Sequence, residues 1–250
     1  MNPAQFSQPW PVFRFGEIDS TNEEARRRAH AGDLGPCWLI GDAQTAGRGR
    51  LGRAWDSPAG NLFATALLPY PRPTAEAALA CFSAGLAVLD AARAAKVDTA
   101  SLGLKWPNDV VAGPAKLAGI LIETGASQGQ LWMAAGFGVN VASAPPRSDR
   151  PTACLRDLRG GADLTARQLL DVLDIAFRTR LERLLTEGFE STRRDWLACA
   201  AYLGARVELH PAAGRIEGTM TGLAGDGALI IRLDDGTEYH VRAGEISLLS

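Results

Sequence analysis

The sequence predicts an α+β protein ending in a small β-barrel. Two observations carry that expectation. Through the first two hundred residues, short apolar runs of strand length alternate with stretches of helical periodicity. From Gly204 onward the texture changes to short strands punctuated by Pro211, Gly214, Gly225-Asp226-Gly227 and Asp235-Gly236. The expected division is a larger domain over 1–202 and a barrel over 203–250, which is too small for confident independent stability and should pack on the larger one.

The whole-chain quantities fit this reading and narrow the partners. The 250 residues are 46% hydrophobic and 22% charged, an ordinary balance for a soluble globular protein. Net charge is −2, so nothing global favours a nucleic-acid or anionic-membrane partner. Cys37, Cys81, Cys154 and Cys199 are scattered and form no C-x-x-C pair, which argues against a zinc knuckle or a disulfide framework. No basic n-region leads into an apolar h-region, and the longest uncharged, mainly apolar stretch, Ala77–Leu89, is short for a bilayer span. A cytoplasmic protein without membrane or nucleic-acid partners is the expectation.

Taken in order, residues 11–18 alternate as a strand. Asp19-Ser20-Thr21-Asn22-Glu23-Glu24 then reads as a capping box opening a helix to about His30, with Ser20 or Thr21 as cap, Arg26–Arg28 near its negative end and Gly32 as a stop. Cys37–Gln44 reads as a buried strand. It runs into Gly47-Arg48-Gly49-Arg50-Leu51-Gly52-Arg53-Ala54-Trp55, three glycines and three arginines followed by an aromatic. The glycines satisfy G-x-G-x-x-G, but the dinucleotide fingerprint needs a helix to open there. The chain instead continues into the turn-rich Asp56–Asn61 and a strand at Leu62–Leu68, so the Rossmann reading is rejected.

Pro73-Thr74 is expected to cap a core helix over roughly 75–95. In Lys105-Trp106-Pro107-Asn108-Asp109, proline ends a strand and leaves a cation, an amide and a carboxylate together on a turn, a set suited to phosphate and a hard metal ion. Lys116–Glu123 reads as a strand with Gly119 inside it, followed by a turn near Ser127–Gln130 and a second strand over 131–141. Gly136 and Gly138 fall on one face of that strand, and with Gly119 they predict a slot for a flat apolar ligand. Residues 142–164 read as an irregular loop. Thr165-Ala166-Arg167-Gln168 is a second capping box, opening a helix with a Leu169, Leu170, Leu173, Phe177, Leu181, Leu184 stripe stopped by Gly188; a shorter helix follows around 191–201.

Cations and open backbone at several strand ends, with no histidine–serine or histidine–cysteine dyad, point to electrostatic stabilisation of an anionic centre rather than to a protein nucleophile. ATP-dependent activation of a carboxylate fits, because it brings two anions together.

Asp19-Ser20-Thr21-Asn22, Gln44 with Gly47–Trp55, Lys105–Asp109, Lys116–Glu123 and Gly136–Asn140 together resemble the biotin protein ligase family, in order and spacing, from about residue 13 to the closing Gly244-Glu245-Ile246-Ser247-Leu248. The resemblance implies a mixed sheet flanked by helices, class II aminoacyl-tRNA synthetase-like, with an SH3-like barrel. It implies a biotin–[biotin carboxyl carrier protein] ligase, which makes biotinyl-5′-AMP from biotin and ATP with Mg²⁺. The biotinyl group then passes to a lysine on a carboxylase carrier domain.

By the same resemblance, Ser20, Thr21, Asn22, Gln44, Gly47, Arg48, Gly49, Arg50, Lys116, Gly119, Gly136 and Gly138 would serve biotin. Arg50, Arg53, Trp55, Lys105, Asn108, Asp109, Lys116 and Asn140 would serve ATP, with Asp109 toward the metal and Arg48, Arg50 and Lys116 in the chemistry. The loop over 142–155 is a candidate cover for adenosine. Only 18 residues precede Asp19, so the chain resembles the monofunctional class without a DNA-binding domain, a monomer or weak homodimer. A lipoate ligase of the same fold, a non-catalytic biotin-binding protein and an RNA-binding Arg-Gly segment are the alternatives; a lipoate enzyme would carry a glycine-run motif and a histidine-bearing loop not found here.

Overall fold

In the computed structural model, residues 4–146, 150–209 and 215–249 are described. The elements run α1 (Ala4–Ser7), β1 (Val12–Ile18), α2 (Thr21–His30), β2 (Cys37–Gln44), β3 (Leu62–Pro69), α3 (Thr74–Ala77), α4 (Ala80–Ala94), β4 (Leu102–Lys105), β5 (Asp109–Ala112), β6 (Ala115–Ser127), β7 (Gln130–Val139), α5 (Ala166–Glu187) and α6 (Phe189–Ala198). Then come β8 (Arg206–Leu209), β9 (Ile216–Leu223), β10 (Leu229–Arg232), β11 (Glu238–Val241) and β12 (Ile246–Leu248). The first seven strands form one sheet in the order β1-β2-β3-β7-β6-β5-β4, and the last five a second, β11-β10-β9-β8-β12. Only β1 and β2 pair in parallel in the larger sheet, so it is mixed.

Alternation along the strands divides the larger sheet into two faces. Trp38 and Ile40 of β2 point into the main core with α4 and α5, while Cys37 and Leu39 point the other way, against Ala25 and Ala29 of α2. On the main side Trp38, Phe137 and Phe177 pack with ring centroids 5.1–6.0 Å apart. The other face carries α2, ten residues long. Thr65 of β3 and Gly136 and Gly138 of β7 share the parity of Leu67 and Ala134 in that second cluster, so they lie on this thinly covered face. The short helix leaves the site its room.

The Thr165 capping box forms as expected, with the Thr165 hydroxyl accepting from Gln168 N and the Gln168 side chain accepting from Thr165 N. All six residues of the expected stripe are buried. The first helix differs. Ser20 occupies its N-cap without a side-chain cap bond, and the orphan amide of Thr21 instead donates to Gln44 Oε1 at 2.9 Å. Glu23 and Glu24 are drawn to arginines, which remain charged and compete better than a backbone amide.

The single helix expected over 75–95 is a short turn plus α4. Pro73, its N-cap, has no side-chain acceptor to offer. By length and composition Thr74–Ala94 is long enough to cross a membrane, more than the shorter stretch read from the sequence, but most of it is buried in the core. The C-terminal sheet packs on the larger one: its Leu229, Ile231 and Val241 belong to the main core cluster, and Trp106 Nε1 donates to Gly227 O at 3.1 Å.

One buried ion pair ties α5 to sheet and N-terminus. Arg178 donates to Asp174 at 2.9 Å and also to the carbonyl of Phe6, while Trp38 Nε1 donates to Asp174 at 2.8 Å. Asp174→Ala would strand a buried guanidinium and an indole N–H. That should cost about 3–5 kcal/mol and lower Tm by roughly 6–20 °C. Thermal unfolding followed by circular dichroism checks this, and an unchanged Tm would contradict it.

Candidate functional site

A cleft of about 960 Å³ opens on the α2 face, lined from the β1–α2 junction, the 47–55 loop, the β4–β5 turn, β6, β7, Pro145, Arg150, Thr152 and Glu245. Register gives its floor. Gly119 of β6 pairs opposite Gly138 of β7, and Gly136 lies beside Thr65 of β3. A Cβ on Gly138 or Gly119 would fall 2.5 or 2.9 Å from the Trp55 indole, and one on Gly136 only 2.1 Å from Asn22 Oδ1.

All three glycines line the cleft, and their missing side chains also let Trp55 and Asn22 approach the sheet. Asn22 is fixed on both sides, with Nδ2 donating to Glu123 at 2.7 Å and Oδ1 lying 2.6 Å from the Thr65 hydroxyl. The Thr65 hydroxyl also lies 2.8 Å from that of Thr21, and Gln44 donates to Ser57 at 3.1 Å. Ser20, Thr21 and Asn22 are all buried at the cleft wall.

Cations gather at the other end. Lys116 Nζ sits 2.6 Å from Asp109 Oδ1 and 5.2 Å from the centre of a Trp55 ring. Burial lowers the pKa of Lys116, while the carboxylate of Asp109 opposes that shift. A β-bulge at Val110–Val111 helps set this pairing. The chain at 151–153 runs beside Lys116, accepting from Lys116 N at Pro151 O and donating to Lys116 O from Ala153 N, both at 2.9 Å. It carries Arg150 to 3.5 Å from Asp109. Asn140 holds that segment by donating to Ala153 O at 3.1 Å.

Asn108 donates to Ile120 O at 2.8 Å and accepts from Arg50 at 3.2 Å, which joins the turn to the loop above it. That loop is a narrow hairpin, with Gly49 N donating to Arg53 O at 2.7 Å and Trp55 N to Gly47 O at 2.9 Å. Leu51 at its tip takes φ 57° and is exposed. Gly47 is needed where it lies, since a Cβ there would fall 2.6 Å from Trp55 O.

Two residues of this site had no signal in the sequence. Glu245 enters from the loop just before β12 and pairs with Arg53 at 2.6 Å, Arg150 at 2.6 Å and Lys105 at 3.5 Å. Burial works against its ionisation, but Arg53, Lys105 and Arg150 outweigh that and hold its pKa at about 2. Arg150 lies in the 142–155 run, read as irregular loop and as a candidate cover for adenosine, with no residue of it singled out. Both are brought in by long-range packing, so no local pattern could announce them. Arg48 and Gly49 also line the cleft, whereas Gly47 and Lys105 stand outside its lining. Asp109 is committed to Lys116 and Arg150, and no group of three or more His, Cys, Asp or Glu suited to a metal occurs among the described residues.

A cleft with a cationic end and a sheet floor cleared of side chains is built to hold an extended anionic ligand. Residues 18–140 match the Biotin/lipoate A/B protein ligase family and residues 202–249 the Biotin protein ligase C terminal domain. The chain is 38% identical over 235 residues to the biotin–[acetyl-CoA-carboxylase] ligase of Paracoccus denitrificans, covering 91% of this chain and 96% of that one. It is 30% identical to the bifunctional ligase/repressor of Escherichia coli over 93% of this chain and 72% of that protein. Its fold is similar to the biotin protein ligase of Aquifex aeolicus, solved with biotin and ATP, at TM-score 0.78 and 27% identity over 96% and 98% of the two chains. The chain belongs to the biotin protein ligase family.

The Glu245 pairing also makes a prediction about stability. Its folded pKa of about 2 lies below the ordinary 4.5, so its contribution is full above 4.5 and is lost as pH falls toward 2. Glu245→Gln should therefore show a shallower fall of Tm across that window than the unaltered protein. Parallel acid limbs in thermal melts would contradict the pairing.

Proposed function

We propose that this chain is a biotin–protein ligase that joins biotin to ATP as biotinyl-5′-AMP and passes the biotinyl group to a lysine of a carboxylase carrier domain. The observation that carries this is the setting of Lys116: buried, 2.6 Å from Asp109, beside Trp55, at the cationic end of the cleft. In the first step a biotin carboxylate oxygen attacks the α-phosphorus and pyrophosphate leaves. Two anions must approach each other, and Lys116 with Arg48 and Arg50 would neutralise both. Incoming anions favour the charged form of Lys116, against the burial that lowers its pKa. In the second step the carrier amine attacks the acyl carbon and AMP leaves, with its proton passing to solvent or a nearby base.

Ser20, Thr21, Asn22 and Gln44 offer the polar wall for the ring end of biotin, and Gly47, Gly49, Gly119, Gly136 and Gly138 the close backbone. Arg53, Trp55, Lys105, Asn108, Asp109 and Asn140 form or brace the nucleotide end. Mg²⁺ would arrive as the counter-ion of the nucleotide phosphates. The proposal includes a cytoplasmic location, a monomer or weak homodimer, and a domain boundary near residue 202, between the end of α6 and the start of β8. It also reads the larger domain as class II synthetase-like and the five-stranded antiparallel sheet as an SH3-like barrel.

Lys116→Ala should lower biotin-dependent pyrophosphate release by about 100-fold or more while leaving the thermal melt cooperative. Unchanged turnover would remove Lys116 from the mechanism. Pyrophosphate release by the unaltered protein should respond to biotin and not to lipoate; the reverse response would assign the site to the other carboxylate.

A further inference from the structure

Each arginine of the 47–55 loop has its own anchor. Arg50 reaches Asn108 and the carbonyl of Gly244, and Arg53 reaches Glu245. Asn108 and Glu245 line the cleft, where nucleotide phosphates would compete for the same guanidinium groups. Arg48 is different. It pairs with Glu23 of α2, a residue outside the cleft lining, and its Nη2 lies 3.9 Å from Glu123 Oε1. Glu23 is the better fixed partner, with its side chain 16% exposed against 42% for Arg48. Its other oxygen pairs with Arg26, whose side chain is 52% exposed and adds little to holding it.

The loop's root rests on the same junction. Thr45 N donates to Ile18 O and Ala46 N to Asp19 O, both at 2.9 Å, and Arg48 bridges to Ala54 across the hairpin. Fixing Arg48 therefore fixes both arms of the hairpin at their base. When phosphates draw Arg50 and Arg53 away from their resting partners, Arg48 can meet the anions with its remaining N–H groups and keep Nη2 on Glu23, so this contact need not be broken.

We propose that Glu23 is a positioning residue: it latches the arginine loop through Arg48 and so slows escape of the acyl adenylate before the carrier arrives. This rests on the ligase reading of the site. An acyl adenylate is a mixed anhydride that water or any stray amine attacks once it is free, so holding the loop down protects the activated group. A partly exposed ion pair of this kind corresponds to a modest factor, about three- to five-fold in an escape rate.

The test uses the full chain loaded with biotin and α-labelled ATP, with labelled adenylate remaining on the protein followed by rapid gel filtration. Glu23→Gln should form adenylate at the unaltered rate and lose it about three- to five-fold faster. Raising salt should bring the unaltered protein toward the variant's escape rate, because screening weakens the same exposed pair. Arg26→Ala, which removes the other partner of Glu23, should retain adenylate normally. Equal retention by Glu23→Gln and the unaltered protein, or equal loss from Arg26→Ala, would overturn the latch. If the unaltered protein forms no biotin-dependent adenylate, the ligase reading itself fails. If adenylate forms and Glu23→Gln retains it normally, only the latch fails.

Discussion

Four cationic side chains, Arg50, Arg53, Lys116 and Arg150, line one end of the cleft with Lys105 paired to Glu245 beside them, and the fold must keep them there before any anion arrives. Two unit charges 4 Å apart near a protein surface repel by about 4 kcal/mol, so such a cluster needs compensation. Asp109 and Glu245 supply it. Asp109 comes from the strand beside Lys116, and Glu245 comes from the loop just before β12 to meet Arg53, Lys105 and Arg150. The small sheet is thus electrically part of the site. Its packing on the larger domain is a condition for the cluster as well as for the core.

The rest of the site follows from strand register. Antiparallel pairing sets Gly119 against Gly138 on the face that α2 only partly covers, and Trp55 drops onto both. Trp55 in turn lies beside Lys116. Asn22 settles on Gly136 in the same way, fixed by Thr65 and Glu123. Aromatic wall, polar wall and central cation are therefore placed by the pairing of β6 with β7. Side-chain contacts alone would not give one register, and a slip by one residue would turn these glycines to the opposite face.

Much of this was legible because its signals are local. The Thr165–Gln168 box, the α5 stripe and the shared parity of Gly136 and Gly138 are each dictated within a few residues, and the structure keeps all three. The motifs at Ser20–Asn22, Gly47–Trp55 and Lys105–Asp109 also meet in one cleft. Local reading failed where a distant group outbid a near one. Ser20 makes no side-chain cap bond, the orphan amide of Thr21 goes to Gln44 in the next strand, and arginines took Glu23 and Glu24. The three glycines do line the cleft, and the side chains that approach them come from a loop and a helix far away in sequence. Arg150 and Glu245 acquire meaning only through the contacts that bring them to Asp109 and Lys105.

The central claim is that a cluster of cations, with no protein nucleophile, lets a carboxylate attack a phosphate in this cleft. Its most direct test is to mix excess protein with biotin, ATP and Mg²⁺, denature the protein after one turnover, and analyse small molecules and intact protein by mass spectrometry. The account predicts free biotinyl-5′-AMP in amounts approaching one per chain, with the reacted protein unchanged in mass. A biotinyl or adenylyl group bound covalently to the chain, with no free adenylate formed, would contradict it.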